Sequence, residues 1–196
     1  MVAKGLDFEN VTLVGVINAD QQLNNDDFRS QERTFDLLTQ VVGRAGRGQY
    51  KGTAVIQTCN PENDVIQIAA RQDYDAFFKD ELKTRKMLIY PPYCDICLIG
   101  FIGENEPKVR VASQKYTDRL KEKLSGEYKD LKIIALGPMT ARVSKISNKF
   151  RYRLILKCKN TKCFRALMNE LLKYTGTDRA YNDVSVYIDI NPENII

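Results

Sequence analysis

Ten lysine and arginine side chains fall within residues 131–169, a stretch that contains no aspartate or glutamate. They are Lys132, Arg142, Lys145, Lys149, Arg151, Arg153, Lys157, Lys159, Lys162 and Arg165. Cations without counter-charges repel one another, and this repulsion destabilises a compact fold unless an anion is bound. An ordinary solvated face is the alternative interpretation. We favour a surface for a phosphate backbone, with no implication of sequence-specific readout.

Other reactive side chains are few. Histidine is absent, which excludes a Ser-His-Asp or Cys-His site built within this sequence. The five cysteines are Cys59, Cys94, Cys97, Cys158 and Cys163. An odd number of cysteines without a secretory signal predicts reduced thiols in a cytosolic protein. The spacing of Cys94 and Cys97 also occurs in zinc sites, but positions i and i+3 of a strand face opposite ways. We therefore expect ordinary thiols and no metal site.

The charge is divided unevenly along the 196 residues, whose formal net charge is +5. Residues 1–90 contain 11 Lys+Arg and 13 Asp+Glu, a net charge of −2, whereas residues 91–196 contain 19 and 12, a net charge of +7. Such asymmetry predicts two units, the second with an anionic partner. The hydrophobic fraction of 43% indicates a globular protein. No stretch approaches the roughly 20 apolar residues of a membrane span, so we expect no membrane partner.

The first half has the pattern of a parallel α/β sheet. A continuous apolar run over 11–17 predicts a strand buried on both faces, a helix is expected over 30–42, and a second strand over 52–58. Strand, helix and strand form a fragment of a parallel sheet, too small to bury both of its faces alone. Helical segments are expected from about residue 64 to residue 88.

The second half has the order strand, helix, strand, strand, helix, strand over 94–190, with the second strand expected at 132–136 and stopped by Gly137-Pro138. This βαββαβ order is the split-βαβ, ferredoxin-like arrangement, whose helices cover one sheet face. Along the strand from residue 150 to residue 159, the apolar side chains alternate with Arg151, Arg153, Lys157 and Lys159. These four cations are therefore expected on the open sheet face, beside a loop with Arg142, Lys145 and Lys149. The candidates for aromatic stacking are Tyr187, on the open face of the last strand, and Tyr93.

Two motifs connect the first half to a known family. Gln40-Val-Val-Gly-Arg-Ala-Gly-Arg47 fits Q-x-x-G-R-x-G-R and resembles motif VI of superfamily 2 helicases, and Ala3-Lys-Gly-Leu-Asp-Phe8 resembles their motif V. The resemblance extends to Asp27–Arg33, Gly52–Thr58, Tyr74–Phe77, Tyr90–Tyr93, Leu136–Pro138, Arg151–Arg153 and Asp189–Pro192. With these segments, the sequence resembles the C-terminal portion of the primosomal protein N′ (PriA) family of replication-restart helicases.

The resemblance implies half of an ATP site. Arg47 is implied to be the arginine finger and Arg44 its neighbour on the phosphate, because a planar guanidinium stabilises the charge on transferring phosphoryl oxygens. Gly5, Asp7 and Gln40 are implied to be nucleotide-binding residues, and Lys4 to contact DNA or the nucleotide cleft. The sequence lacks a phosphate loop and a Walker B acid. ATP and Mg²⁺ are thus expected only in the parent protein, as is the family's zinc, and we expect no ATP hydrolysis by this sequence alone.

The fold class expected is α/β followed by α+β. Residues 1–62 would be the C-terminal part of a RecA-like helicase lobe 2, 63–92 a helical connector and 93–196 a DNA-binding domain. The family implies an ATP-dependent 3′–5′ DNA helicase of the bacterial cytoplasm, associated with the nucleoid. Its partners would be branched or forked DNA, primosome loading proteins and single-stranded-DNA-binding protein, whose acidic tail Lys162 and Arg165 would receive. The alternative is a self-contained nucleic-acid-binding or assembly-scaffold module without motor activity.

Overall fold

A computed structural model describes residues 11–45 and 51–195. The chain divides into two compact units, Met1–Met87 and Leu88–Ile196. The first part of the chain forms β1 (Leu13–Val16), α1 (Asp20–Leu23), α2 (Ser30–Val42), β2 (Thr53–Ile56), α3 (Asp64–Ala70) and α4 (Tyr74–Leu88). The second part forms β3 (Asp95–Gly103), α5 (Glu106–Ser125), β4 (Ile134–Ile146), β5 (Lys149–Cys158), α6 (Lys162–Thr175), a 3₁₀ turn (Arg179–Tyr181) and β6 (Ser185–Ile190). Within the described ranges, no helix combines the length and apolarity needed to cross a bilayer.

The first unit contains a small parallel sheet. β1 and β2 pair in parallel, with Leu13 opposite Thr53. Alternate residues of both strands are half-buried, whereas Leu13 and Ile17 are 66% and 82% exposed. The strand predicted over 11–17 is therefore present, but the expectation that it is buried on both faces is wrong for the described residues. The physical reason is that only one side of this two-stranded sheet meets the hydrophobic cluster formed by the helices.

Helices α3 and α4 help to build that cluster. The rings of Phe35 on α2 and Phe77 on α4 stack with centroids 4.2 Å apart. Arg85 donates hydrogen bonds to Glu81 at 2.7 Å and to Glu32 at 2.8 Å, and so connects α4 with α2. The helices that the sequence sets apart as a connector over 63–92 thus share the core of the first unit, and the division between the units lies at 87/88.

The second unit has the predicted βαββαβ order and a four-stranded sheet. Its strand order is β4-β5-β3-β6, and every neighbouring pair is antiparallel. Helices α5 and α6 are capped by Asn105 and Thr161, whose side chains accept hydrogen bonds from backbone N–H groups of the first turn. Both helices pack against one sheet face, where the ring of Phe101 meets that of Tyr116 edge-on. The other face carries the cations considered below.

Strand β4 is longer than the sequence predicts. It continues through Gly137-Pro138 to Ile146 instead of ending at residue 136. Because β4 is an edge strand that pairs only with β5, a proline that lacks an N–H is tolerated there. A two-residue turn, Ser147-Asn148, with positive φ at both positions, then leads directly into β5. The loop expected to carry Arg142, Lys145 and Lys149 is therefore a β-hairpin.

Candidate nucleic-acid interface

Strand β5 sorts its side chains between two environments. Leu154, Leu156 and Cys158 are buried in the cluster under the helices, as the alternation predicts. The intervening positions lie on the opposite face, in register with even-numbered residues of β3. That second face is not uniformly open, because Ile96, Leu98 and Ile155 on it are all buried. The cations of β5 therefore have to be considered one by one.

Lys157 is covered. Its exposed fraction is 9%, its Nζ donates a hydrogen bond of 2.6 Å to the carbonyl oxygen of Leu88, and it lies 3.6 Å from the centroid of the Tyr90 ring. Loss of hydration lowers the pKa of its ammonium group from the ordinary value. The expectation that Lys157 projects from an open face is corrected by these contacts, since its ammonium group is engaged within the protein.

Arg153 is also engaged. Its guanidinium donates a hydrogen bond to the carbonyl oxygen of Ile195, and its Nε is buried with no hydrogen-bond partner among the described residues. Ile195 is itself buried. Asn191, at the start of the same terminal segment, exchanges hydrogen bonds with the backbone of Ile96, at 2.7 Å and 3.0 Å. The segment after β6 therefore covers part of the face that the sequence predicts to be open, and Arg153 serves to hold it.

The remaining cations lie on and beside the hairpin that joins β4 to β5. Arg142, Lys145 and Lys149 are exposed and Arg151 is half-buried. Strand β4 bulges at this point. Thr140 pairs with Tyr152 and Lys145 with Phe150, so the single residue Arg151 stands opposite the four residues 141–144. We call the residues 142–151 the cationic hairpin. Lys159, exposed beyond the other end of β5, lies apart from it.

The cationic hairpin also carries apolar side chains. Val143 and Ile146 are exposed, and Nζ of Lys145 lies 4.8 Å from the centroid of the Phe150 ring. No acid occurs between Leu131 and Asn169 in the sequence, so the hairpin has no counter-charge within its own chain segment. Positive charge beside small apolar surfaces suits a polyanion that also presents sugars and bases. The arrangement can bind a phosphate backbone without base-specific hydrogen bonds.

The predicted partner site lies at the start of α6. Lys162 is exposed and makes no hydrogen bond or ion pair with the described residues, whereas Arg165 donates to the carbonyl oxygen and the side chain of Asn160, at 3.1 Å and 2.9 Å. The first turn of the helix contains no acid. A helix N-terminus with an exposed lysine attracts carboxylates. Binding of an acidic tail to these residues stays a prediction.

Part of the predicted nucleotide site is described. Gln40 is exposed in the last turn of α2, and Arg44 follows the helix, with its N–H donating to the carbonyl oxygen of Val41 at 3.1 Å. Arg44 lies two residues beyond Val42, the last residue of α2. The C-terminus of a helix carries a partial negative charge and repels phosphate. An anion site there therefore requires a cation such as arginine, which is always charged. Lys4, Gly5, Asp7 and Arg47 lie outside the described residues.

Cys94, Cys97 and Cys158 are buried, whereas Cys59 and Cys163 are exposed. Cys97 is in the core under the helices, whereas the thiol of Cys94 donates to the carbonyl oxygen of Ile89 at 3.2 Å. Burial raises the pKa of Cys97 and of Cys158 to about 12. Protonated thiols are poor metal ligands. Within residues 11–45 and 51–195, no three candidate ligand side chains come together as a metal site.

The segment Asp27–Arg33 has a structural role that its resemblance to the family does not indicate. Asp27 is buried, accepts a hydrogen bond of 2.9 Å from the N–H of Arg29, and faces Nη1 of Arg33 at 3.5 Å. The guanidinium carbon of Arg29 lies 4.3 Å from the centroid of the Phe28 ring. These contacts fix the start of α2, which carries Gln40 and Arg44 at its other end. The charges of Asp27 and Arg33 in the sequence could have indicated their ion pair, but no local pattern indicated that Asp27 is buried.

Comparisons with known proteins agree with the resemblance. Residues 86–193 match the family described as the primosomal protein N C-terminal domain. The chain is 38% identical over 192 residues to the replication restart protein PriA of Bacillus subtilis (strain 168), an alignment that covers 98% of this chain and 23% of that protein. Identity to the replication restart protein PriA of Borreliella burgdorferi is 37% over 199 residues, with 100% and 28% covered.

A third relative gives the same result. The replication restart protein PriA of Synechocystis is 42% identical over 157 residues, which cover 80% of this chain and 18% of that protein. The chain spans less than a third of the length of these curated relatives. Since the family match includes both the cationic hairpin and the strands that support it, the chain belongs to the family of the primosomal protein N C-terminal domain.

Proposed function

We propose that the chain is the DNA-binding C-terminal part of an ATP-dependent 3′–5′ helicase that recognises branched DNA and restarts stalled replication forks by primosome assembly. The names of its relatives support the replication-restart role. The observation that carries the DNA-binding role is the cationic hairpin, with three exposed cations and no acid in its segment. Binding through such a surface depends on phosphates and is sensitive to salt.

The proposal includes an assignment of each unit. The parallel pairing of β1 and β2, with α2 between them in the chain, supports part of a RecA-like lobe in the first unit. The antiparallel order β4-β5-β3-β6, with both helices on one face, supports a ferredoxin-like fold in the second.

ATP and Mg²⁺ would be held mainly by other parts of the parent protein. ATP would supply the transferring phosphoryl group, and Mg²⁺ would neutralise its oxygens. From this chain, Arg47 and Arg44 would stabilise the developing negative charge, and Gly5, Asp7 and Gln40 would line the nucleotide. The closeness of Gln40, in the last turn of α2, and Arg44, just beyond that helix, supports this role. Zinc belongs to the parent protein in the same proposal.

A scaffold role is a second candidate, because the exposed Lys162 and the acid-free first turn of α6 suit an acidic peptide. In the replication-restart setting, that peptide would be the tail of single-stranded-DNA-binding protein, and primosome loading proteins would be further partners. A scaffold without DNA binding would leave the cationic hairpin without a role.

The test of DNA binding is a charge removal on the hairpin. Combined Arg142→Ala, Lys145→Ala and Lys149→Ala should flatten the slope of log affinity against log salt by roughly 2–3, since each phosphate contact contributes about 0.9. At about 0.1 M salt, affinity for duplex DNA should fall on the order of 10²-fold. Fluorescence anisotropy of a labelled forked duplex over a salt series measures both quantities.

A control variant with the same change in net charge separates position from total charge. Lys121→Ala, Lys129→Ala and Lys173→Ala remove three exposed cations from helices α5 and α6 and the segment after α5. This variant should keep a slope near that of the wild-type chain. Equal losses in the two variants would show that only net charge matters and would refute the hairpin as the interface.

A further inference from the structure

Tyr187 on β6 is held over a glycine. A Cβ atom added to Gly100 would stand 2.1 Å from Cε1 and 2.2 Å from Cζ of the Tyr187 ring. The ring therefore lies over the backbone of β3, in a space that any other residue at position 100 would fill. Tyr187 nevertheless remains 38% exposed. An aromatic ring fixed against a strand with part of its surface in solvent has the form of a stacking platform for a base.

The surroundings of Tyr187 differ in charge on its two sides. Toward one end of the sheet, Asp189 is exposed on the same face, and the segment after β6, with the exposed Glu193, reaches Arg153 in the row of Tyr187. Toward the other end, the next row across the sheet is formed by Ser185, Ile102 and Arg151, and contains no acid. Arg151 belongs to the cationic hairpin. A nucleic-acid strand that starts at Tyr187 is thus repelled on the Asp189 side and attracted toward the hairpin.

The distances across the sheet suit this path. β6 and β5 are separated only by β3, so their axes are two strand spacings apart, roughly 10 Å. An arginine side chain on β5 can reach the backbone of a nucleotide whose base lies near β6. The base of a duplex is already stacked between its neighbours, whereas a base of a single strand is free to stack on a side chain.

We propose that Tyr187, supported by Gly100, stacks on a base of single-stranded DNA whose phosphates run toward Arg151 and the cationic hairpin. This inference rests on the proposed function, and it adds to the phosphate surface a site that takes unpaired bases. The rigid position of the ring lowers the conformational entropy lost on binding. A tyrosine fixed in this way binds any base, because every base has a π-face.

The test uses the whole chain and an oligodeoxythymidine that contains one 2-aminopurine, whose fluorescence is quenched by stacking. Tyr187→Phe should keep the quenching, and Tyr187→Ala should lose it with an affinity for the single strand about 5- to 100-fold lower. Gly100→Ala, which displaces the ring without removing it, should lose quenching as well. Tyr93→Ala is the matched control. Tyr93 is also 38% exposed, but it lies just before the first residue of β3, whereas Tyr187 stands opposite Gly100 near the last residue of that strand.

The outcomes distinguish this inference from the proposed function. Quenching that persists in Tyr187→Ala, or an equal loss in Tyr93→Ala, overturns the stacking site. Salt-dependent binding without any quenching in the wild-type chain overturns the stacking site and leaves the phosphate surface intact. No salt-dependent binding to any DNA overturns both. If Gly100→Ala lowers the melting temperature, the comparison of Tyr187→Phe with Tyr187→Ala decides alone.

Discussion

The two ends of β5 carry cations on the same sheet face, but in different surroundings. At the hairpin end, Lys149 is exposed and Arg151 half-buried, beside a strand bulge with no acid. Toward the other end, Arg153 donates to the carbonyl oxygen of Ile195, and Lys157 to that of Leu88. One strand thus presents cations to solvent at its start and uses cations to hold neighbouring backbone segments further along.

The difference shows what alternation can and cannot reveal. A period of two assigns a side chain to a face, but the occupant of that face is set by segments that are distant in the sequence. Lys157 and Leu88 are 69 residues apart, and Arg153 and Ile195 are 42 residues apart. A buried ammonium group is stable only where hydrogen bonds replace its lost hydration. The carbonyl of Leu88 and the ring of Tyr90 supply part of that replacement.

The largest effect expected from this comparison is on DNA affinity. Combined Lys149→Ala and Arg151→Ala should flatten the salt slope by about 1.8 and weaken duplex binding several tens of fold at about 0.1 M salt. Combined Arg153→Ala and Lys157→Ala should leave the slope unchanged, because those charges are engaged within the protein. Anisotropy titrations at four salt concentrations measure both slopes.

The two double variants are matched, since each removes one lysine and one arginine from β5. Circular dichroism and a melting curve must show that the inner pair still folds at the assay temperature. A slope that falls equally in both variants would mean that the segments over Lys157 and Arg153 move away when DNA binds. The separation of the two ends of β5 would then be wrong.

Local patterns predicted much of the fold. Helix α2 spans residues 30–42 as its pattern indicates, and the second unit has the expected order of elements. The course of β4 beyond Gly137-Pro138 was missed because a proline normally ends a strand, and only the position at the sheet edge permits it. Whether a strand lies at an edge is a property of the complete sheet, which no local window contains.

The site was predicted in part for the same reason. Absence of acids over 131–169 identified the basic segment, and alternation identified the face of Tyr187. The contact between Tyr187 and Gly100 depends on pairing between residues 87 positions apart, which no local pattern indicates. The burial of Lys157 likewise depends on the segment before β3, and the covering of Arg153 depends on the segment after β6. Long-range placement of this kind follows from packing and not from local periodicity.

The next effect in size is on stability. It should be large for the covered lysine toward the far end of β5 and small for the exposed lysine at the hairpin end. Lys157→Ala should lower the free energy of unfolding by about 1–3 kcal/mol, because the hydrogen bond to Leu88 and the contact with Tyr90 are both lost. Lys149→Ala, at an exposed position, should change it by less than about 0.5 kcal/mol. Urea unfolding followed by circular dichroism gives both values.

A double-mutant cycle assigns part of that loss. Tyr90→Leu keeps apolar bulk and removes the ring face, so the coupling between Lys157→Ala and Tyr90→Leu reports the cation–π contact. We expect a coupling of about 0.5–2 kcal/mol. Additive effects of the two substitutions would show that the ring merely fills space, and that the hydrogen bond to Leu88 is what holds Lys157.

The smallest effect is on the pH dependence of the free energy of unfolding. Its sign tests whether desolvation distinguishes Lys157 from an exposed lysine. Desolvation lowers the pKa of Lys157 in the folded chain below the ordinary 10.5. Between the folded pKa and 10.5, the unfolded chain therefore holds a proton that the folded chain has released, so this group stabilises the fold increasingly as the pH rises. Below that window the charged form is buried in full and its cost is constant.

Comparison with Lys157→Met isolates this contribution, because other groups that titrate at high pH are common to both proteins. The free energy of unfolding of the wild-type chain minus that of Lys157→Met, measured in urea from pH 7 to pH 10.5, should rise toward the alkaline end. A difference that falls with pH would mean that the Leu88 carbonyl and the Tyr90 ring stabilise the ammonium group by more than its desolvation costs. The contacts of Lys157 would then offset the whole desolvation cost of its ammonium group. Moving the 88–90 segment away from Lys157 would in that case gain no stability.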